Sequence, residues 1–184
     1  MLIGFITLLV LFGVPAVLGK NKLEARSYSL KSEQVSIRGR ITGVIDGDTI
    51  NVVILSQHQI RVRVAFIDAP EKSQAFGQRA KQAMSDLVFG KDVELRPHGI
   101  DRSGLLVARV LVDNRDAGLE LLKQGLCWVF EKHVDEAPAE IQAEYRNAEA
   151  SAQSERLGLW QDPAPVPPWQ WREEERAKPQ LQSS

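Results

Sequence analysis

Two hydrophobic periods divide the chain. Residues 35–45 (VSIRGRITGVI), 49–55 (TINVVIL) and 59–66 (QIRVRVAF) alternate apolar with polar side chains or run through β-branched ones, and Asp46-Gly47-Asp48 and Ser56-Gln57-His58 separate them. A period of two with turn residues at the breaks predicts three antiparallel strands. The period then lengthens: Phe76, Ala80, Ala83, Met84, Leu87 and Val88 share one helical face, and Gly90 supplies a stop. Residues 92–97 and 105–112 return to strand patterning. Leu119, Leu121 and Leu122 then mark a helix over 115–124, and Ile141, Tyr145 and Ala148 a longer one over 137–157. Five strands and three helices predict an α+β, mainly β domain, which fits a partly open five-stranded OB-fold barrel or a plain sandwich.

The ends of the chain read differently. Residues 1–19 carry no charged side chain, and Pro15, Ala16 and Gly19 suit the cleavage region of a secretory signal. A signal peptide or N-terminal anchor is expected there, with residues 2–18 as the membrane tether in the second case. Either one makes the protein exported: periplasmic, secreted, or anchored facing outward. Residues 20–34 are polar and without period, a linker, so the domain is expected over 35–160. Pro163, Pro165, Pro167 and Pro168 followed by a charge run predict an extended, exposed tail over 161–184, with Trp169 and Trp171 packing on the barrel to pin it.

Composition narrows the function classes. With 23 Lys plus Arg against 24 Asp plus Glu, the net charge of −1 rules out binding nucleic acid through overall basicity. Residues 20–116 nevertheless hold 16 basic and 12 acidic side chains, whereas 117–184 hold 7 and 12, so the barrel is the basic half. The single cysteine, Cys127, excludes a disulfide framework and a four-thiolate zinc site, and its apolar neighbours make it a buried small hydrophobe.

Chemistry concentrates in IDGDTINV at 45–52 and RVRVAFIDAPE at 61–71. Two turns bring Asp46, Asp48 and Asp68 to strand ends, where an all-oxygen set suits a hard cation such as Ca²⁺ rather than zinc. His58 and His98 have no Cys or second His at metal-ligand spacing.

These residues resemble the staphylococcal nuclease, or thermonuclease, family. Its DGDT turn stands here as Asp46-Gly47-Asp48-Thr49 and its IDxPE turn as Ile67-Asp68-Ala69-Pro70-Glu71. The similarity continues through Arg63, Phe76-Gly77-Gln78, the DRxG of Asp101 to Gly104, LLVARV, LLKQGLCWV and Gly158-Leu159-Trp160. The resemblance implies an OB-fold barrel with three helices, Ca²⁺ dependence, and hydrolysis of DNA and RNA phosphodiesters to 3′-phosphate ends. It further implies that Asp48 and Asp68 ligate the ion through carboxylates, Ala69 through its carbonyl oxygen, and Asp46 from outside them. Glu71 matches the general base that activates water, and Arg63 the arginine that grips the scissile phosphate by two-pronged hydrogen bonding.

One position departs from the pattern. The family's second catalytic arginine follows the Gly of DRxG, and here that residue is Leu105. Arg102 and Arg109 are the nearby guanidinium groups; alternation gives Arg109 the same strand face as Leu105, but two pairs along it, so Arg109 is not taken. The family's two nucleotide-stacking tyrosines are also missing, with Glu131 and His133 nearest their places. Arg102 and His133 are therefore the substrate-contact candidates. The reading is an exported, monomeric Ca²⁺-dependent nuclease acting on DNA or RNA, slowed by Leu105. The alternative is a catalytically weak OB-fold module that binds nucleic acid or a protein partner.

Overall fold

The computed structural model describes residues 35–178, so the expected leader at 1–19 and the whole 20–34 linker lie outside the described residues. The described residues form one compact unit. Its frame is five long strands: β1 (Ile37–Val44), β2 (Thr49–Ile54), β3 (Gln59–Val64), and, after the short β4 (Ile67–Asp68) and helix α1 (Gly77–Val88), β5 (Asp92–Ile100) and β6 (Leu106–Val112). The order is β3-β2-β1-β5-β6, antiparallel throughout, and a parallel pairing of Val62–Val64 with Leu106–Ala108 joins β6 back to β3. The five-stranded OB-fold barrel is thus closed rather than partly open. The register slips once in β1, between Ile41 and Gly43, and once in β5, between Pro97 and Gly99, giving the local bends that closure needs.

Alternation decides which side chains fill the barrel. Ile41, Ile50, Val52, Val62, Val64, Val93, Leu95, Ala108 and Val110 are buried, while Arg61 on the opposite face of β3 is exposed. Helix α1 presents Ala80, Met84 and Val88 to this core, as its 3.6-residue period requires. The chain continues through β7 (Arg115–Asp116), α2 (Ala117–Lys123), β8 (Trp128–Val129), α3 (Glu131–Val134) and α4 (Ala139–Ser154). Asp116 caps α2, accepting from the backbone N–H groups of Gly118 (3.0 Å) and Leu119 (3.3 Å). Cys127 is wholly buried, which pushes its thiol pKa well up and leaves it inert.

Two expectations need correction. The three anticipated helices are present as α1, α2 and α4, but α3 adds a single turn around His133. The tail is not extended throughout: Pro168–Ala177 form a helix, α5, which starts with proline in its first turn. Proline is favoured there, because its missing N–H is one that the first turn leaves unpaired anyway. Pro163 to Pro167 lead into this helix and do not continue as a polyproline strand. Among the described residues no helix is long and apolar enough to cross a membrane.

Candidate active site

The site is built from two turns that must touch. The first links β1 to β2: the N–H groups of Ile45 and Asp46 donate to the Thr49 carbonyl at 2.9 and 3.3 Å, and the Asp48 N–H donates to Asp46 Oδ1 at 3.1 Å. Gly47 lies where a Cβ would come within 2.6 Å of the Ala69 Cβ and 2.8 Å of the Ala80 Cβ. Only glycine lets this turn lie flat on the second turn and on α1. The second turn follows β4, whose pairing with β8 sets Asp68 opposite Trp128. The contact is sealed by the Ala69 N–H donating to Asp48 Oδ2 at 3.0 Å, while the Thr49 hydroxyl donates to Asp48 Oδ1 at 2.9 Å.

Glu71 is fixed from below. A Cβ on Gly77 would fall 1.9 Å from the Glu71 carbonyl oxygen, so the start of α1 packs directly under this residue. The buried side chain of Gln74 accepts from the Glu71 N–H at 3.1 Å and donates its other amide end to the Val166 carbonyl.

Asp48 is 7% and Asp68 4% exposed, and the two carboxylates influence each other. Burial, followed by the charges of Asp46 and Asp68, pushes the Asp48 pKa up to about 7. Burial also raises that of Asp68, against the opposing pull of a hydrogen bond from Arg172. Taking carboxylates out of water disfavours their charge, and a neighbouring carboxylate adds to the effect. Arg63 places its Nε 3.3 Å from Asp101 Oδ2, inside ion-pair range but without hydrogen-bond geometry, so this buried nitrogen has no hydrogen-bond partner.

Beside Arg63 opens a cleft of about 440 Å³ lined by His98, Arg102, Phe130, Lys132 and His133. Both substrate-contact candidates therefore share one wall system with Arg63. Arg102 is exposed, and His133 is half-buried with its ring edge-on to Phe130 at 4.6 Å. Arg63, Arg102 and Lys132 stand in the cleft against Asp101 and Glu136, a small positive excess that suits a polyanion, and its rings suit an unstacked base. Leu105 is half-buried at the end of the Asp101–Gly104 turn, its N–H donating to Asp101 Oδ1 at 2.9 Å. Arg109 is committed elsewhere, with its Nε 2.7 Å from buried Asp116.

Sequence reasoning missed Arg172. From α5 its Nη2 donates to Asp68 Oδ2 at 2.6 Å and its Nη1 to Asp68 Oδ1 at 3.1 Å, and Nη1 also reaches Glu71 Oε1 at 2.9 Å. The only hint in the sequence is the pair of tryptophans around it. Trp169 lies against Phe130, with centroids 6.4 Å apart, and Trp171 lines a pocket with Gln74, Trp128, Leu159 and Val166.

Known proteins are similar to this chain over about three quarters of its length. Residues 61–162, more than half of the chain, match the family described as staphylococcal nuclease homologue. An uncharacterized endonuclease of Haemophilus influenzae is 39% identical over 137 residues, covering 74% of this chain and 74% of that protein. Micrococcal nuclease of Shigella flexneri is 36% identical over 144 residues, covering 73% and 80%. Protein ParB of Escherichia coli is 38% identical over 147 residues, covering 75% and 80%. With its closed OB barrel and its two turns locked through Gly47 and Ala69, this chain belongs to the staphylococcal nuclease family.

Proposed function

We propose that the nuclease activity that comes with this family is carried out here as Ca²⁺-dependent hydrolysis of DNA or RNA phosphodiesters at the junction of the two turns. The observation that carries the reading is the pair of buried carboxylates, Asp48 and Asp68, held together by the Ala69 N–H contact, with Asp48 pushed up to about 7. Asp48 forms no ion pair among the described residues, so a cation would relieve the charge that burial and its carboxylate neighbours disfavour. The donors of the pair are all oxygen, which fits Ca²⁺. Among the described residues no three His, Cys, Asp or Glu side chains cluster closely enough to hold a metal ion by themselves. The assignment therefore gives the ion Asp48, Asp68 and the Ala69 carbonyl from the protein, with Asp46 supporting Asp48, and leaves the remaining positions to water and phosphate. When bound, the ion supplies Lewis-acid polarisation of a phosphoryl oxygen.

The chain's own residues do the rest. Glu71 takes the proton of the attacking water as its oxygen bonds to phosphorus, the P–O5′ bond breaks, and the leaving 5′ oxygen takes a proton from solvent, so that the phosphate stays on the 3′ side. Arg63 meets the charge that develops on the non-bridging oxygens, and Arg102 and His133 guide the strand along the cleft. The uncharged run at 1–19 supports export, and N-terminal sequencing of the protein recovered outside the cytoplasm tests it. Digestion of single-stranded DNA and RNA in Ca²⁺ against EDTA tests the main reading. Glu71→Gln should lower kcat by about 10²–10⁴ with nucleic-acid affinity nearly unchanged. Full activity in that variant removes the role given to Glu71. A second reading, a binding module, is favoured by Leu105, and it prevails if the wild-type protein binds single strands in a salt-dependent way without cutting them.

A further inference from the structure

Arg172 stands 104 residues from Asp68 in sequence, beyond the 61–162 range that matches the family, yet it reaches both Asp68 oxygens, at 2.6 and 3.1 Å. Its geometry is that of a fork. Two guanidinium nitrogens meet the two oxygens of Asp68, and one of them also meets Glu71, so a single planar group ties two carboxylates to each other. No hydrogen bond or ion pair among the described residues joins Arg172 to Asp48, whose oxygens face Thr49 and Ala69. Arg172 thus supports Asp68 without engaging the partner carboxylate.

The support is built into the fold. Gln74, 7% exposed, uses one end of its amide to hold the Glu71 backbone and the other to hold Val166, two residues before α5. Pro168 is buried, Trp171 lines a pocket together with Gln74, and Trp169 rests against Phe130. The element that fixes Glu71 therefore also fixes the helix that delivers Arg172. Outer partners of metal-binding carboxylates set the orientation of those ligands, and losing one typically costs about 10–100-fold in metal affinity or activity.

We propose that Arg172 is a positioning residue of this nuclease site, brought in by the C-terminal helix to hold the Asp68 carboxylate toward the cation and the Glu71 carboxylate toward the attacking water. The proposal rests on the Ca²⁺ reading above.

Calorimetric titration of the full chain with Ca²⁺ tests it, in wild type, Asp48→Asn, Arg172→Ala and Arg172→Lys, with melting temperatures alongside. Arg172→Ala should weaken Ca²⁺ binding by about tenfold to a hundredfold and lower kcat on single-stranded DNA at saturating Ca²⁺. Arg172→Lys keeps the charge but not the fork, so it should fall between the two. Unchanged or tighter Ca²⁺ binding in Arg172→Ala overturns the proposal, since deleting a cation that merely competes for Asp68 strengthens binding. Should Arg172→Ala fail to fold, wild-type affinity and kcat in Arg172→Lys overturn it equally. The two readings fail separately. A wild type that takes up no Ca²⁺ defeats both, whereas a wild type that binds, an Asp48→Asn that does not, and an Arg172→Ala equal to wild type defeat only the role of Arg172.

Discussion

The barrel buries two sets of aspartates, and they are treated in opposite ways. Asp116, 5% exposed, accepts from the N–H groups of Gly118 and Leu119, from Arg109 Nε at 2.7 Å and from the Tyr145 hydroxyl at 2.9 Å. A guanidinium, a phenol and a helix N-terminus surround one carboxylate, and every donor is supplied by the fold. Asp48, buried to a similar degree, has one hydroxyl and one N–H, with Asp46 and Asp68 as neighbouring negative charges. The first arrangement is complete without any ligand. Asp48 has no such set of donors, which costs stability and accords with the cation site proposed above. A buried carboxylate is thus assigned to structure or to function by what surrounds it, and burial alone does not distinguish the two.

The comparison breaks most visibly at its structural end. Asp116→Ala removes the α2 cap and leaves Arg109 and the Tyr145 hydroxyl without their partner. Breaking such a buried pair costs about 3–5 kcal/mol, which denaturant unfolding will read as a lower midpoint. A loss under 1 kcal/mol would show that water takes over the role of Asp116.

Asp48→Asn should act in the opposite direction in metal-free protein. Asp48 holds its proton to about 7 when folded, against an ordinary 3.8. Its contribution to stability is full below about pH 4 and is lost as pH rises through about 7, because the unfolded chain gives up the proton first. In EDTA, Asn at this position should therefore stabilise the protein at pH 8, on the order of 1–3 kcal/mol, and flatten the fall between pH 5 and pH 8. Urea midpoints at the two pH values check this, and an unaltered slope in the variant removes Asp48 as its source.

Much of this was legible in the sequence. Strand alternation is local, so the five barrel strands follow from it within a few residues, and the two carboxylate turns follow from DGDT and IDAPE. Closure was not legible, since Val62 and Leu106 meet only after everything between them has folded. Helix α5 was hidden by composition. Four prolines suggest an extended chain, but Pro167 and Pro168 sit at the N-cap and first turn of a helix, where proline is welcome. Its Trp pair hinted at docking, yet no pattern in WQWREEERA points to Asp68, because an ion pair between distant segments leaves no periodic trace.

Gly47 is where the two turns depend on each other, so Gly47→Ala tests whether the site needs their contact. The added methyl meets Ala69 and Ala80, and overpacking of this kind costs about 1–3 kcal/mol. Ca²⁺ affinity should fall with stability. A variant that is destabilised yet binds Ca²⁺ as tightly as wild type would separate the packing of the turns from the cation site.

The smallest expected effect is at Leu105, where a second guanidinium is absent. Leu105→Arg should raise kcat by about tenfold, near 1.4 kcal/mol of transition-state stabilisation, by adding a donor for the charge on the phosphate. Single-turnover cleavage of a labelled oligonucleotide measures it. A rate left unaltered or lowered would mean that another group, with Arg102 the nearest candidate, already serves there.

The parallel pairing of β3 with β6 also governs when the protein becomes active. It is the seam on which Arg63 meets the Asp101 turn, and it joins segments separated in sequence by β4, α1 and β5. Contacts of such long sequence separation form late, because the loop between them must be ordered before the pairing repays its entropy. The hairpin carrying Asp48 is local and can form early, but the arginine and the cleft wall meet only when the cylinder shuts. Closure therefore completes the site: the β2–β3 hairpin already sets Arg63 opposite Thr49, next to Asp48, and the Asp101 turn that Arg63 meets is brought in by the β5–β6 side of the seam.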